Sequence, residues 1–233
     1  MSISVLSFIG LFLLLIGNLN IYIPNLTPSW FELLGNISIP IILFIFIEQY
    51  NELKSKSKSI TKLLTYGILM CFLNLITYII FKTLHVNANI PLFKTNIFLV
   101  FILCFYLIET INKFKVDKRL SVKLNLVIFV LIELILISSF QYDIFIAFIL
   151  FVFYKYKDKI FKRNLIFIIG VLILSLLLNS IYSMTMILSI IIISEFSKLP
   201  KNQNNKHILN NQYFFYNTYL ISILILNILT ILN

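Results

Sequence analysis

Long apolar runs alternate with short polar stretches along the whole chain. A helix that crosses a membrane needs about 20 mostly apolar residues, because the hydrocarbon core is about 30 Å thick and each helical residue rises about 1.5 Å. Runs of this kind occur at 3–23, 31–49, 63–84, 92–111, 122–140, 142–154, 165–180, 181–197 and 213–232. The pattern predicts an all-α, polytopic transmembrane helical bundle of about nine spans, forming a single integral-membrane domain over 1–233.

Two of these runs, 142–154 and 165–180, are short for a membrane span. Two alternatives remain open for them. One of the segments could form a re-entrant hairpin that enters and leaves on the same side, or its helix could borrow residues from the flanking loop.

The basic residues are concentrated in every second loop. Apart from Lys82 and Lys94, every Lys and Arg falls within four loops, at 50–62, 112–123, 155–164 and 198–212. Cytoplasmic loops of membrane proteins carry an excess of Lys and Arg. The distribution therefore predicts a cytoplasmic N-terminus, an outer C-terminus and a multi-pass protein of the cell membrane.

Composition supports a lipid environment and excludes several functions. Hydrophobic residues make up 60% of the chain and charged residues only 12%, against about 25% in soluble domains. The net charge of +10 would suggest nucleic acid in a soluble protein, but here the cytoplasmic loops account for it. The two cysteines lie in apolar runs without metal-ligand spacing. We therefore expect the lipid bilayer as partner, no nucleic acid and no bound metal.

Carboxylates within or beside the spans are the candidate chemical groups, since ionisable side chains are costly in a bilayer. Glu133 lies in the middle of a span, where it is either functional or a neutral hydrogen-bonding residue. Glu48, Glu109 and Glu195 each end a span on the predicted cytoplasmic side. They either converge on an inward-facing pocket or simply reach the interface and meet nearby lysines.

Three segments resemble one family of membrane proteins. The segments are GNISIPIILFIFIEQYNELKSKSKSITKL from Gly35, KTNIFLVFILCFYLIE from Lys94 and QYFFYNTYLISILIL from Gln212. Their order and spacing are similar to those of the TraX family over most of the chain. The positions that agree with the family pattern are Gly35, Pro40, Phe44, Phe46, Glu48, Asn96, Phe98, Phe215, Tyr216 and Tyr219.

The resemblance implies a membrane acyltransferase. TraX proteins are associated with N-terminal acetylation of pilin and are related to integral-membrane O-acetyltransferases. It implies acetyl-CoA as co-substrate, taken from the cytoplasmic side, and a peptide or protein, lipid or glycan as acceptor. Glu48 and Glu133 are then the candidate catalytic residues, and Lys54, Lys58 and Lys62 the candidate groups for the anionic CoA head.

Several family positions are replaced in this chain. Gly17 and Asn18 stand where the family has an Asp-His pair, and Leu220 and Ser222 stand where it has Pro-x-His. Further replacements are Asn36, Gln49 and Lys62. A transferase needs a general base for its acceptor, so either Glu48 or Glu133 performs that role or activity is lost.

The sequence therefore leaves open whether the protein is an enzyme. The alternative is a non-catalytic membrane subunit of a transport or secretion complex, or an immunity protein for a secreted peptide. A transporter is a third alternative, but the sequence shows neither two related halves nor matching interrupted helices.

Overall fold

The protein is an all-helical bundle wherever its structure is described. The structure is a computed structural model, and it describes residues 3–23, 25–53, 55–83, 95–116, 119–137, 143–197 and 208–232. The helices are α1 (Ile3–Tyr22), α2 (Phe31–Glu52), α3 (Lys56–Thr83), α4 (Ile97–Val116), α5 (Leu120–Ile137), α6 (Asp143–Lys155), α7 (Ile160–Leu177), a 3₁₀ helix (Ile181–Leu188), α8 (Ser189–Ser197) and α9 (Ile208–Leu232). The predicted all-α class is confirmed.

Six helices in the described part of the chain are long and apolar enough to cross a membrane. They are Ile3–Tyr22, Phe31–Tyr50, Lys56–Thr83, Ile97–Phe114, Ile160–Leu177 and Phe214–Ile231. The other three predicted segments form shorter apolar helices, at Val122–Ile132, Ile144–Lys155 and Ile181–Ser197. A multi-pass membrane protein is thus supported, while the count of nine spans and the sidedness of the termini stay predictions.

Helix α7 shows how one of the two short predicted spans reaches the length of a membrane helix. The run at 165–180 belongs to an 18-residue helix that already begins at Ile160, so it borrows residues from the preceding basic loop. The helix ends at Leu177, and Asn179 follows with a φ of 51°. Asparagine tolerates this left-handed conformation better than most residues, and the turn leads directly into the 3₁₀ helix.

Helix α2 is the centre of the bundle. It packs against α1, α6, α8 and the 3₁₀ helix. Every side chain from Ser38 to Ile47 is buried, which covers the whole circumference of the helix. A helix that is apolar and buried all round must be surrounded by other helices. The C-terminal end of α2 therefore carries Glu48 out of the most enclosed part of the protein.

Two glycines allow α1 and α2 to approach backbone to backbone. A Cβ atom built on Gly17 would lie 2.5 Å from the Cα atom of Gly35. Small residues permit such close crossings in membrane proteins, where dispersion contacts and not hydrophobic exclusion hold helices together. Gly17 therefore has a structural reason to be glycine.

The C-terminal parts of α2 and α4 lie at the same end of the bundle as the start of α3 and the α6–α7 loop. Lys56, at the start of α3, contacts Glu109 near the end of α4. Lys157, between α6 and α7, pairs with Glu48 near the end of α2. We call this end the basic end and define it by Glu48, Lys56, Glu109, Lys157 and Arg163.

Candidate functional site

Glu48 lies at the basic end and directly follows the buried segment 38–47 of α2. Its carboxylate Oε2 is 3.2 Å from the Nζ atom of Lys157, and both side chains are about one-fifth exposed, at 22% and 23%. Ion pairs that are partly exposed to solvent typically stabilise a protein by about 0–1 kcal/mol. The pair is therefore weak evidence for stability, and its position beside a buried cation is more informative.

Arg163 is the buried cation. Only 2% of it is exposed, although it occupies the first turn of α7. Its guanidinium carbon lies 5.1 Å from the centre of the Phe44 ring and 5.6 Å from that of Phe153, so it is within cation–π distance of two aromatic rings that meet edge to face. Its Nη2 group donates to Ser197 Oγ at 3.1 Å.

The electrostatic partner of Arg163 is Glu48, which is close enough to interact with its charge. A buried charge is costly unless it is paired or hydrogen-bonded. One carboxylate thus faces two cations, Lys157 and Arg163, drawn from the α6–α7 loop and from α7. Sequence reasoning missed Arg163 because it placed the residue in a loop. The one indication in the sequence was that the next predicted span, 165–180, is short for a membrane helix, so its helix had to begin earlier.

A second cluster occupies another face of α2. The Tyr50 hydroxyl donates to Glu109 Oε1, and Lys56 Nζ lies 2.5 Å from the same oxygen. Lys56 also donates to the Tyr50 hydroxyl at 3.1 Å. Two residues along a helix point about 200° apart, so Glu48 and Tyr50 face opposite sides of α2. The sequence singled out Glu109, but it gave no sign that Tyr50 and Lys56 would join it.

Two of the three lysines predicted to bind the CoA head group lie within the described residues. Lys58 and Lys62 are exposed in the first two turns of α3, four residues apart and so on one face of the helix. Lys56 points to a different face, where it meets Glu109. Lys54 lies outside the described residues. The lysines that contact carboxylates here are Lys56 and Lys157, neither of which was predicted.

Glu133 remains a prediction that the structure does not address. Its backbone belongs to α5, which packs against α4 and α6. Its side chain lies outside the described residues. Whether Glu133 shares a cavity with Glu48 is therefore an open part of the hypothesis.

A network of amides and hydroxyls lies inside the bundle between α1, α3, α4 and α9. Asn18 donates to the Tyr219 hydroxyl at 3.1 Å, and that hydroxyl donates to the Thr95 carbonyl at 2.6 Å. The Tyr22 hydroxyl lies 3.2 Å from Thr95 Oγ1 and donates to Asn74 Oδ1 at 3.3 Å, while Asn227 donates to the same oxygen at 3.0 Å. We call Asn18, Tyr22, Asn74, Thr95, Tyr219 and Asn227 the interior polar network.

The interior polar network is far from Glu48. Asn18 follows Gly17, which touches Gly35, and Gly35 precedes Glu48 by 13 residues of α2. At a rise of about 1.5 Å per residue, the two levels are about 20 Å apart along the helix. A carboxylate at that distance cannot act on a group bound beside Asn18.

The cavities around Gln49 are very small. One lies between Gln49, Phe46 and Phe215, another between Gln49, Tyr50 and Leu63, and each has a volume of about 10 Å³. A cavity needs about 10–15 Å³ to hold a single water. Glu48 lines neither of them. Gln49 thus lies in a tightly packed region.

Comparison with known proteins adds one finding. The family model described as TraX protein matches residues 2–230, nearly the whole chain. Neither the curated proteins nor the solved structures contain a significant match.

Proposed function

This chain belongs to the TraX family, and we propose that it transfers the acetyl group of acetyl-CoA to a peptide, lipid or glycan acceptor at the membrane. The proposal includes nine spans, a cytoplasmic N-terminus and an outer C-terminus, which place the basic end in the cytoplasm. The observation that carries it is the ion pair of Glu48 with Lys157 at that end, within electrostatic range of the buried Arg163.

The chemistry assigned to this cluster is simple acyl transfer. The Glu48 carboxylate takes the proton of the acceptor hydroxyl or amine as that group attacks the thioester carbonyl. The bond between the carbonyl carbon and sulfur then breaks, and CoA leaves as a thiolate that takes up the proton held by Glu48. Lys157 and Arg163 supply positive charge near the developing oxyanion. The acceptor must bind at the basic end, because the interior polar network is too distant.

The lysines of α3 suit the co-substrate. CoA carries several phosphate charges, and ammonium groups on an exposed helical face attract such an anion from solution. We assign Lys58 and Lys62 to this role, with Lys54 beside them in sequence. Glu133 is kept as the second candidate carboxylate.

Binding of acetyl-CoA to the purified protein in detergent tests the proposal. We expect saturable binding, with CoA and ATP as comparison ligands, and weaker binding after Lys58→Gln and Lys62→Gln together. Lys82→Gln is the matched control, because Lys82 is exposed in the last turn of the same helix. Folded protein that binds nothing at millimolar acetyl-CoA would rule out this function.

Catalysis is tested separately from binding. Glu48→Gln should bind acetyl-CoA but release CoA from it far more slowly in the presence of membrane acceptors. Glu32→Gln is the control, since Glu32 is exposed at the opposite end of the same helix. Equal release by wild type and Glu48→Gln would remove Glu48 from the mechanism.

A non-catalytic membrane subunit, or an immunity protein for a secreted peptide, is the second candidate. The close contact of Gly17 with Gly35 favours it, because an acidic side chain at this position has no room. Asn18 favours it as well, since its amide is already engaged with Tyr219. This candidate predicts a folded protein without acetyl-CoA binding and with a protein partner recovered by crosslinking in membranes.

A further inference from the structure

An open apolar groove lies at the basic end between α4, α5 and α6. Its volume is about 410 Å³, within the range of about 300–1,000 Å³ that is usual for small-molecule sites. Phe114, Phe151 and Tyr154 form its aromatic walls, and Val127 and Leu131 form the wall from α5. Glu48 does not line it, so the groove is separate from the site described above.

One ammonium group belongs to the lining of the groove, and a second lies beside one of its aromatic side chains. Lys155, which lines it, places Nζ 4.9 Å from the centre of the Phe151 ring. Lys123 places Nζ 5.6 Å from the centre of the Phe114 ring. Among the residues that the structure describes, no carboxylate forms a salt bridge with either lysine. Both cations are therefore available to an external anion.

The chemistry of the groove fits one class of ligand. Apolar walls bind a hydrocarbon chain, and ammonium groups beside two of the aromatic side chains that form these walls can bind an anionic group at its end. The cytoplasmic leaflet is rich in anionic lipids, and basic residues near its surface attract them. A zwitterionic lipid offers the same chains without the net negative charge, so the lysines would discriminate between the two.

We propose that this groove binds an acyl chain of an anionic phospholipid, with Lys123 and Lys155 holding the headgroup phosphate. The site does not depend on acetyl transfer. It gives the protein a lipid-specific contact at the surface where its basic loops lie.

Fluorescence quenching by brominated lipids tests the proposal at a single position. The chain has one tryptophan, Trp30, so Trp30→Phe with Phe151→Trp leaves one reporter on the groove wall. The protein is placed in equimolar vesicles of phosphatidylcholine and phosphatidylglycerol, in which one or the other lipid is brominated. We expect brominated phosphatidylglycerol to quench this tryptophan several-fold more effectively than brominated phosphatidylcholine.

The lysine variants test the assigned contacts. Lys123→Gln and Lys155→Gln should each lower the preference for phosphatidylglycerol by up to about fivefold. Lys58→Gln is the matched control, because it removes one exposed ammonium at the same end but outside the groove. If all three substitutions lower the preference equally, the effect is general attraction to a basic surface and the proposal is wrong.

A second reporter separates the groove from the rest of the basic end. Phe161, in the first turn of α7, is 83% exposed and does not line the groove. With Phe161→Trp in the same background, the two brominated lipids should quench nearly equally. An equal preference at both positions, or none at Phe151→Trp, overturns the proposal. If Phe151→Trp does not fold, Leu131→Trp reports from the opposite wall.

Discussion

Replacing Gly17 by alanine places a methyl group at the closest contact between two spans. The new carbon would lie 2.5 Å from the Cα atom of Gly35, whereas carbon atoms in contact are about 3.5–4.0 Å apart. The obstacle is backbone, which has no rotamer by which to move aside. The helices must separate by about 1 Å or more, and this loosens the contact between α1 and α2.

The expected loss of stability follows from the behaviour of overfilled cores. Added methylene groups in well-packed interiors cost about 1–3 kcal/mol, and the Gly17 contact lies at the upper end because both neighbours are backbone. Each kcal/mol changes Tm by about 2–4 °C in a chain of this size. We therefore expect Gly17→Ala to lower the apparent Tm in detergent by several degrees, measured at one fixed scan rate.

Gly10→Ala is the matched control within the same helix. A Cβ atom at Gly10 would meet side-chain atoms of Ile41 and Ile42 at 3.1 Å, not backbone. These side chains can adjust, so the cost should be smaller. If Gly10→Ala and Gly17→Ala lower Tm equally, or if Gly17→Ala is neutral, the backbone contact between α1 and α2 is not what the structure indicates.

Three further predictions follow from the same structure. Arg163→Lys keeps the charge but loses the guanidinium that lies near two phenyl rings and donates to Ser197, so it should cost about 1–2 kcal/mol of stability; an unchanged Tm would contradict these contacts. Tyr219→Phe removes the hydroxyl that bonds Asn18 and a backbone carbonyl, and it should cost about 1–3 kcal/mol by thermal unfolding; a neutral effect would mean that the interior polar network is not formed. With the native cysteines removed, Ser57→Cys should react with an impermeant thiol reagent only in inverted vesicles and Ser29→Cys only in intact cells; the reverse pattern would invert the proposed orientation.

The distance between Glu48 and the interior polar network limits how acetyl transfer could work here. Gly17 and Asn18, the positions that the resemblance puts nearest to the family's Asp-His pair, lie about 20 Å from Glu48 along α2. Glu48 therefore cannot stand in for that pair at its own location. If Glu48 is the general base, the reaction takes place at the basic end, and the neutral amides of the interior have no catalytic role.

Much of the architecture could be predicted from the sequence because each span is a local property. About 20 apolar residues in a row form a helix in lipid, since backbone groups there must bond within their own segment. The predicted segment 31–49 and the observed helix Phe31–Glu52 agree at their first residue. The later boundaries differ where charged residues, such as Lys162 and Arg163, continue a helix beyond its apolar part.

The faces of the helices could not be predicted in the same way. In a membrane, the surface towards lipid and the surface towards other helices are both apolar, so the pattern does not indicate which side points inward. The contact between Gly17 and Gly35 depends on that orientation, and so does the position of Arg163 beside Phe44 and Phe153. The periodicity of the sequence does not predict either contact.

The candidate site, likewise, could be predicted from the sequence only in part. Glu48 could be named from the sequence because a carboxylate that ends an apolar span stands out by its chemistry. Its partners Lys157 and Arg163 lie more than 100 residues further along the chain. The sequence by itself determined a helical membrane protein with basic loops. Only the tertiary structure decided which of its charges meet, because that depends on how rigid helices cross and not on the order of residues within any one of them.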